Sequence, residues 1–150
     1  MKKTLFVIVI CLLMTGFAYA VEQGTAKEAQ DLVGKAIAYY KTNGKDKAFE
    51  AISDRNGQFV KKDLYIFVYD MSGKCMAHGF NKMRVGKDLI AMKDQNGVFY
   101  VKERIELANA KGKGWQNYKE TNPVTKKIEP KRAYIEKEDN YIFGSGFYRK

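Results

Sequence analysis

The stretch CMAHGFN, residues 75–81, contains the chain's only histidine, His78, and its only cysteine beyond the first twenty residues, Cys75. A thiol and an imidazole three positions apart could be a nucleophile with its base, half of a metal site, or polar lining for a bound molecule. If this stretch is a strand, the side-chain period of two puts Cys75 and His78 on opposite faces, where they cannot share a proton or an ion. A zinc or haem site also needs more histidines or cysteines than the chain offers. C-x-x-C-H, H-E-x-x-H, G-x-S-x-G and a glycine-rich phosphate loop are absent. The residues therefore predict a protein that is not an enzyme, with no catalytic residue, no metal and no cofactor. His78 is left as a polar group on a sheet face, either satisfied by a backbone carbonyl or water, or touching a ligand.

Neighbouring runs bear on that choice. In DLYIFVYD, residues 63–70, Leu64, Ile66 and Val68 fall on one face and Tyr65, Phe67 and Tyr69 on the other. The aliphatic face suits packing on a helix, whereas an aromatic face with two hydroxyls suits a small cavity. Gly144 and Gly146 in FGSGFY leave one face of the last strand bare, which marks a bulge or the close approach of another group. Trp115 and Tyr118 on one strand, and Lys131 and Tyr134 on the next, could add aromatic walls and a cation. The candidate ligand-binding set is Phe67, Tyr69, His78, Trp115, Tyr118, Lys131 and Tyr134; the alternative is core packing for the aromatics and a solvated surface for Lys131. In such a pocket Lys131 would offer a carboxylate a charge-assisted hydrogen bond. His78, which titrates near pH 6.5 when unperturbed, would set the pH dependence. Cys75, on the opposite face, is expected to be buried against a helix, unpaired and inert.

The elements that must position these residues follow from hydrophobic period. From Gly24 to Lys41, Ala29, Leu32, Val33, Ala36, Ile37 and Tyr40 recur at helical spacing, and Asn43-Gly44 ends the pattern. A short second helix spans Lys45 to Ile52. DLYIFVYD reads as a central strand, turned by MSGK into a second strand, CMAHG. Residues 81–97 read as a loop with one helical turn at LIAM. Val98, Val101, Ile105 and Ala108 mark a third helix, and WQNYKE, KRAYIEK and YIFGSGFY are three further strands. Their short links require antiparallel pairing, so the fold class is α+β: one antiparallel sheet of five strands with the long N-terminal helix packed on one face.

The first twenty residues, MKKTLFVIVICLLMTGFAYA, have a dibasic start, an apolar core and the small-x-small ending Ala18-Tyr19-Ala20 of a secretory signal peptide. Removing residues 1–20 leaves 21–150 as one domain, expected to be exported to the periplasm, with Cys75 as its single thiol. The whole chain carries +10, and without Lys2 and Lys3 it keeps 25 basic against 17 acidic residues. That excess would suit nucleic acid, an anionic surface or acidic small molecules. Export and the scattering of lysines among acids argue against nucleic acid.

DLYIFVYDMSGKCMAHGFNKMRVGKDLIAMKDQNG, then GKGWQNYKETNPVTKKIEPKRAYI, then YIFGSGFY, taken as an ordered set, resemble the single Cache domain of the Cache-2 type, an extracellular sensor module. The resemblance covers residues 28 to 148. It implies a PAS-like antiparallel sheet with a pocket on the face away from the long helix. It also implies a small-molecule ligand, commonly a short carboxylate or an amino acid, and a signalling context of chemotaxis receptors, kinases or cyclases in the membrane. By motif position, the pocket role falls on His78, Trp115, Tyr118, Lys131 and Tyr134. Two residues depart from the family's habit: Gly79 stands where proline is common, and Glu120 where an aromatic is common. A carboxylate at 120 would repel an acidic ligand or hold an amine. With the last strand so close to Lys150, the expected function is an exported small-molecule binding or sensor domain acting with a separate membrane receptor, kinase or transporter. The alternative is a structural or protein-interaction module with a vestigial pocket.

Overall fold

The computed structural model describes residues 22–149; the signal-peptide expectation and Cys11 lie outside them. Helix α1 spans Ala26–Asn43 and opens with a capping box: the Thr25 hydroxyl accepts the Glu28 N–H, and the Glu28 carboxylate accepts the Thr25 N–H. Its buried stripe is Ala29, Leu32, Val33, Ala36 and Ile37. Helix α2, Lys45–Ile52, follows after Gly44. A small hairpin, β1 (Val60–Lys61) and β2 (Leu64–Tyr65), precedes the main sheet of β3 (Phe67–Asp70), β4 (Cys75–His78), β5 (Lys113–Thr121), β6 (Ile128–Glu138) and β7 (Tyr141–Tyr148). DLYIFVYD is thus split at Ile66 between hairpin and sheet, and its face alternation survives the break. The sheet order is β4-β3-β7-β6-β5, antiparallel throughout. This is the PAS-like α+β fold, with α1 across β6 and β7.

The sheet separates two cores. One packs α1 and α2 against Leu64, Ile66, Val68 and Phe143. The other, on the opposite face, gathers Tyr65, Phe67, Tyr69, Tyr118 and Tyr148 under helix α3 (Tyr100–Lys111) and the loop of residues 79–99. The helical turn expected at LIAM falls instead on Lys82–Arg84, because the Asn81 side chain caps the Met83 N–H at 3.0 Å. That shift places Arg84 over the aromatic face. The bare backbone of Gly144 is covered by the Phe67 ring, which lies where a side chain at 144 would sit. No described helix is long and apolar enough to cross a membrane.

Candidate functional site

One departure from regular pairing reshapes the opening motif. Along β3 and β4, Phe67 pairs with His78 and Val68 with Ala77, but Tyr69 pairs with Cys75, leaving Met76 as the extra residue of a β-bulge. The bulge cancels the alternation, so Cys75 and His78 lie on the same face, against the expectation drawn from period two. They still form no pair. The thiol contacts the Ala77 carbonyl at 3.7 Å, and burial pushes its pKa up to about 11. The His78 ring is committed elsewhere: Nδ1 accepts the backbone N–H groups of Phe80 (3.2 Å) and Asn81 (3.0 Å). The proton of the neutral imidazole therefore sits on Nε2. Burial, and then the charges of Arg84, Lys131 and Arg104, hold its pKa well below 6.5. Protonating Nδ1 would also break two hydrogen bonds, so His78 is a fixed neutral donor, and the expectation that it sets the pH response is corrected.

Lys131 is fully buried, its Nζ has no hydrogen-bond partner among the described residues, and it lies 3.8 Å from the centroid of Tyr65, 4.9 Å from Tyr148 and 5.6 Å from Phe67. Loss of water around the ammonium lowers its pKa to about 7, partly opposed by the charges of Glu120 and Asp63. Aromatic faces are its nearest surroundings.

Arg104 of α3 fills the centre. Its guanidinium is 4.1 Å from the Phe67 centroid and 4.9 Å from that of Tyr69. Its Nε donates to Gln116 Oε1, and Gln116 in turn donates to the Tyr100 carbonyl. Tyr100 stacks on Tyr118 at 4.8 Å, and its hydroxyl is buried without a partner. At the rim, Arg84 donates two hydrogen bonds to Glu120, at 2.8 and 3.2 Å. Burial alone would raise the Glu120 pKa, but the Arg84 hydrogen bonds and charge outweigh it and hold the carboxyl below its usual value.

Tyr65, Phe67, Tyr69, His78, Arg84, Tyr100, Arg104, Tyr118 and Glu120 close around a crevice too narrow for a water molecule. Of the expected set, Phe67, Tyr69, His78 and Tyr118 line this site, and Lys131 lies beside it, over the Tyr65 ring. Trp115 and Tyr134 do not: they pair with each other across β5 and β6 and pack on the α1 side, their ring centroids 5.3 Å apart. On these regular strands, residues three apart must diverge, so Trp115 parts from Tyr118 and Tyr134 from Lys131. Arg84, Tyr100 and Arg104 were not anticipated. Arg104 was findable, since it interrupts the apolar stripe of Val101, Ile105 and Ala108 on its helix. Arg84 lies in a loop with no periodic signal.

A second groove, between α1 and the β1–β2 hairpin, encloses about 590 Å³ but is lined mainly by Glu28, Asp31, Lys35 and Lys61, charges of both signs at the surface. No group of acids, histidines or cysteines among the described residues could hold a metal.

An antiparallel sheet with helices on one face and a cation-rich aromatic pocket on the other defines a PAS-like ligand-pocket module. Residues 7–149 match the model of the family Single Cache domain 2, and the chain belongs to that family. The match begins inside the segment 1–20. Over 89 residues the chain is 33% identical to the sensor histidine kinase MctS of Rhizobium johnstonii, covering 58% of this chain and 19% of the kinase. Over 88 residues it is 31% identical to the methyl-accepting chemotaxis protein McpP of Pseudomonas putida, covering 57% of this chain and 16% of that receptor. The chain thus spans less than a fifth of the length of either relative. A methyl-accepting chemotaxis protein of Vibrio parahaemolyticus shares the fold with a TM-score of 0.72 at 24% identity, over 81% of this chain and 86% of the other. A Cache chemosensory domain solved to explain its carboxylic acid recognition does so with a TM-score of 0.66 at 20% identity, over 83% and 88%.

Proposed function

We propose that the protein is a periplasmic sensor or binding module for a short organic anion, a carboxylate or an amino acid, that acts with a separate membrane receptor, kinase or transporter. One observation carries the proposal: the pocket face has more buried donors than acceptors. Among the described residues, the ammonium of Lys131 and the hydroxyl of Tyr100 have no hydrogen-bond partner, and Arg104 forms no ion pair. His78 is fixed as a donor, and Glu120, the only carboxylate lining the pocket, is already held by Arg84. Buried donors without acceptors are costly, and a carboxylate, which only accepts, would satisfy several at once. The carboxylic acid recognised by the structural neighbour is consistent with this. No catalytic arrangement accompanies it.

Calorimetry and thermal shift of the protein with acetate, propionate, pyruvate and the common amino acids test the proposal, together with mass spectrometry of whatever denaturation releases. Heat and a raised melting temperature are expected with at least one anion. A flat response across the panel would favour the other reading, a structural or interaction module with a vestigial pocket. One observation supports that reading: the nine side chains leave no room for a water molecule.

A further inference from the structure

The pocket's lining divides by exposure. Seven of its nine side chains are buried, and the most exposed are Arg84 and Glu120, over 16% and 11% of their side-chain surfaces. With Tyr100, these two also line a wider cleft outside, of about 510 Å³, which contains Lys93 and Lys119. The ion pair is therefore the wall between pocket and cleft. The cleft's other acid, Asp94, is occupied: its carboxylate accepts the backbone N–H groups of Lys119, Asn96 and Val98 at 2.8 to 3.0 Å. Lys93 lies over the Phe99 ring, and neither Lys93 nor Lys119 forms an ion pair among the described residues.

We infer that Glu120 is a tethered stand-in for the ligand's carboxylate: it holds the guanidinium of Arg84 until an entering anion takes its place, then turns outward toward Lys93. This rests on the proposed function and says how the same pocket selects its ligand. Because the pocket is too narrow for a water, a ligand must displace a side chain. Glu120 is the one at the exposed wall, next to the last residue of β5, with Lys93, which has no ion pair among the described residues, in the cleft outside to receive it. Arg84 offers a planar fork that one carboxylate saturates, so exchanging carboxylate for carboxylate keeps it paired. A neutral molecule of the same size would leave the guanidinium with no counter-charge in a largely desolvated site. Glu120 is thus a specificity-determining residue, admitting carboxylates and refusing the corresponding amides and alcohols.

Calorimetry with propionate and with propionamide tests this on the wild type, Glu120→Gln, Lys93→Met, and the double variant. Glu120→Gln, which keeps the shape and removes the competing charge, is expected to bind propionate about tenfold more tightly, the range of one charge-assisted hydrogen bond. The lysine substitution is expected to weaken binding several-fold in the wild type and less than twofold in Glu120→Gln, which has no displaced carboxylate to receive. Equal weakening in both backgrounds would reduce the lysine to general attraction and overturn the exchange, as would unchanged affinity in Glu120→Gln or wild-type binding of propionamide. If Glu120→Gln does not fold, Glu120→Ala, which also removes the carboxylate, carries the same comparison. If no variant binds any carboxylate of the panel, the anion-binding function itself fails; if the wild type binds and the lysine effect is independent of Glu120, only the exchange fails.

Discussion

Replacing Lys131 by methionine should make the protein more stable while ending its proposed function. In the folded state the Lys131 pKa is about 7, against 10.5 for a free lysine, a difference set mainly by burial. At 1.36 kcal/mol per pKa step this corresponds to about 5 kcal/mol against folding when the amine is charged. Below pH 7 both folded and unfolded chains carry the proton, and the whole cost is present. Between pH 7 and 10.5 the unfolded chain binds the proton and the folded one does not, so stability rises with pH through that window and the cost fades near 10.5. Methionine matches the lysine stem in length and needs no partner. Thermal unfolding without ligand, followed by circular dichroism at pH 6, 8 and 10, is expected to show Lys131→Met melting roughly 10 °C higher at pH 6. The gap should narrow steadily above pH 7. A variant that melts at or below the wild type at pH 6, or a gap independent of pH, would refute the picture of an uncompensated buried ammonium. In the same variant, carboxylate binding should fall below detection.

Other expectations follow from the same geometry. A bound anion should raise the Lys131 pKa, so propionate affinity is highest below about pH 7, falls as pH rises from there to the bound-state value, and levels off above it; His78→Gln should leave that slope intact, and its disappearance in this variant would return the titration to the imidazole. Cys75, with no exposed surface and a thiol pKa near 11, should react with a thiol reagent at least a hundredfold more slowly in the native protein than in denaturant, as read by mass spectrometry; equal rates would place it at the surface. Trp115→Phe should leave propionate affinity within twofold, because Trp115 packs on the α1 side, while Tyr100→Phe should weaken binding by roughly tenfold through loss of one donor, both by calorimetry.

The legible parts of the fold were those carried by period and turn chemistry. The stripe of α1, ended by Gly44, and the division of Leu64, Ile66 and Val68 from Tyr65, Phe67 and Tyr69 depend only on neighbours a few residues away. Gly144 was read correctly as a point of close approach, though the partner proved to be the ring of Phe67 from the adjacent strand. Glu120 stood out as a departure from the family, yet its meaning changed once Arg84 was found against it.

By itself the sequence determined the three helices and the main strands to within a few residues, that the sheet is antiparallel, and that a polar and aromatic face lies away from α1. The tertiary structure alone decided which side chains meet. Facing depends on register, and the single extra residue at Met76 reverses the side on which Cys75 lies, whereas the unbroken ladder of β5 and β6 keeps Trp115 and Tyr134 away from Lys131. Arg84 reaches the pocket from the loop after β4 and Arg104 from helix α3, and both charges act on the titration of His78 through space. A pKa and a donor count are sums over such neighbours in three dimensions, and no local pattern of residue types contains them.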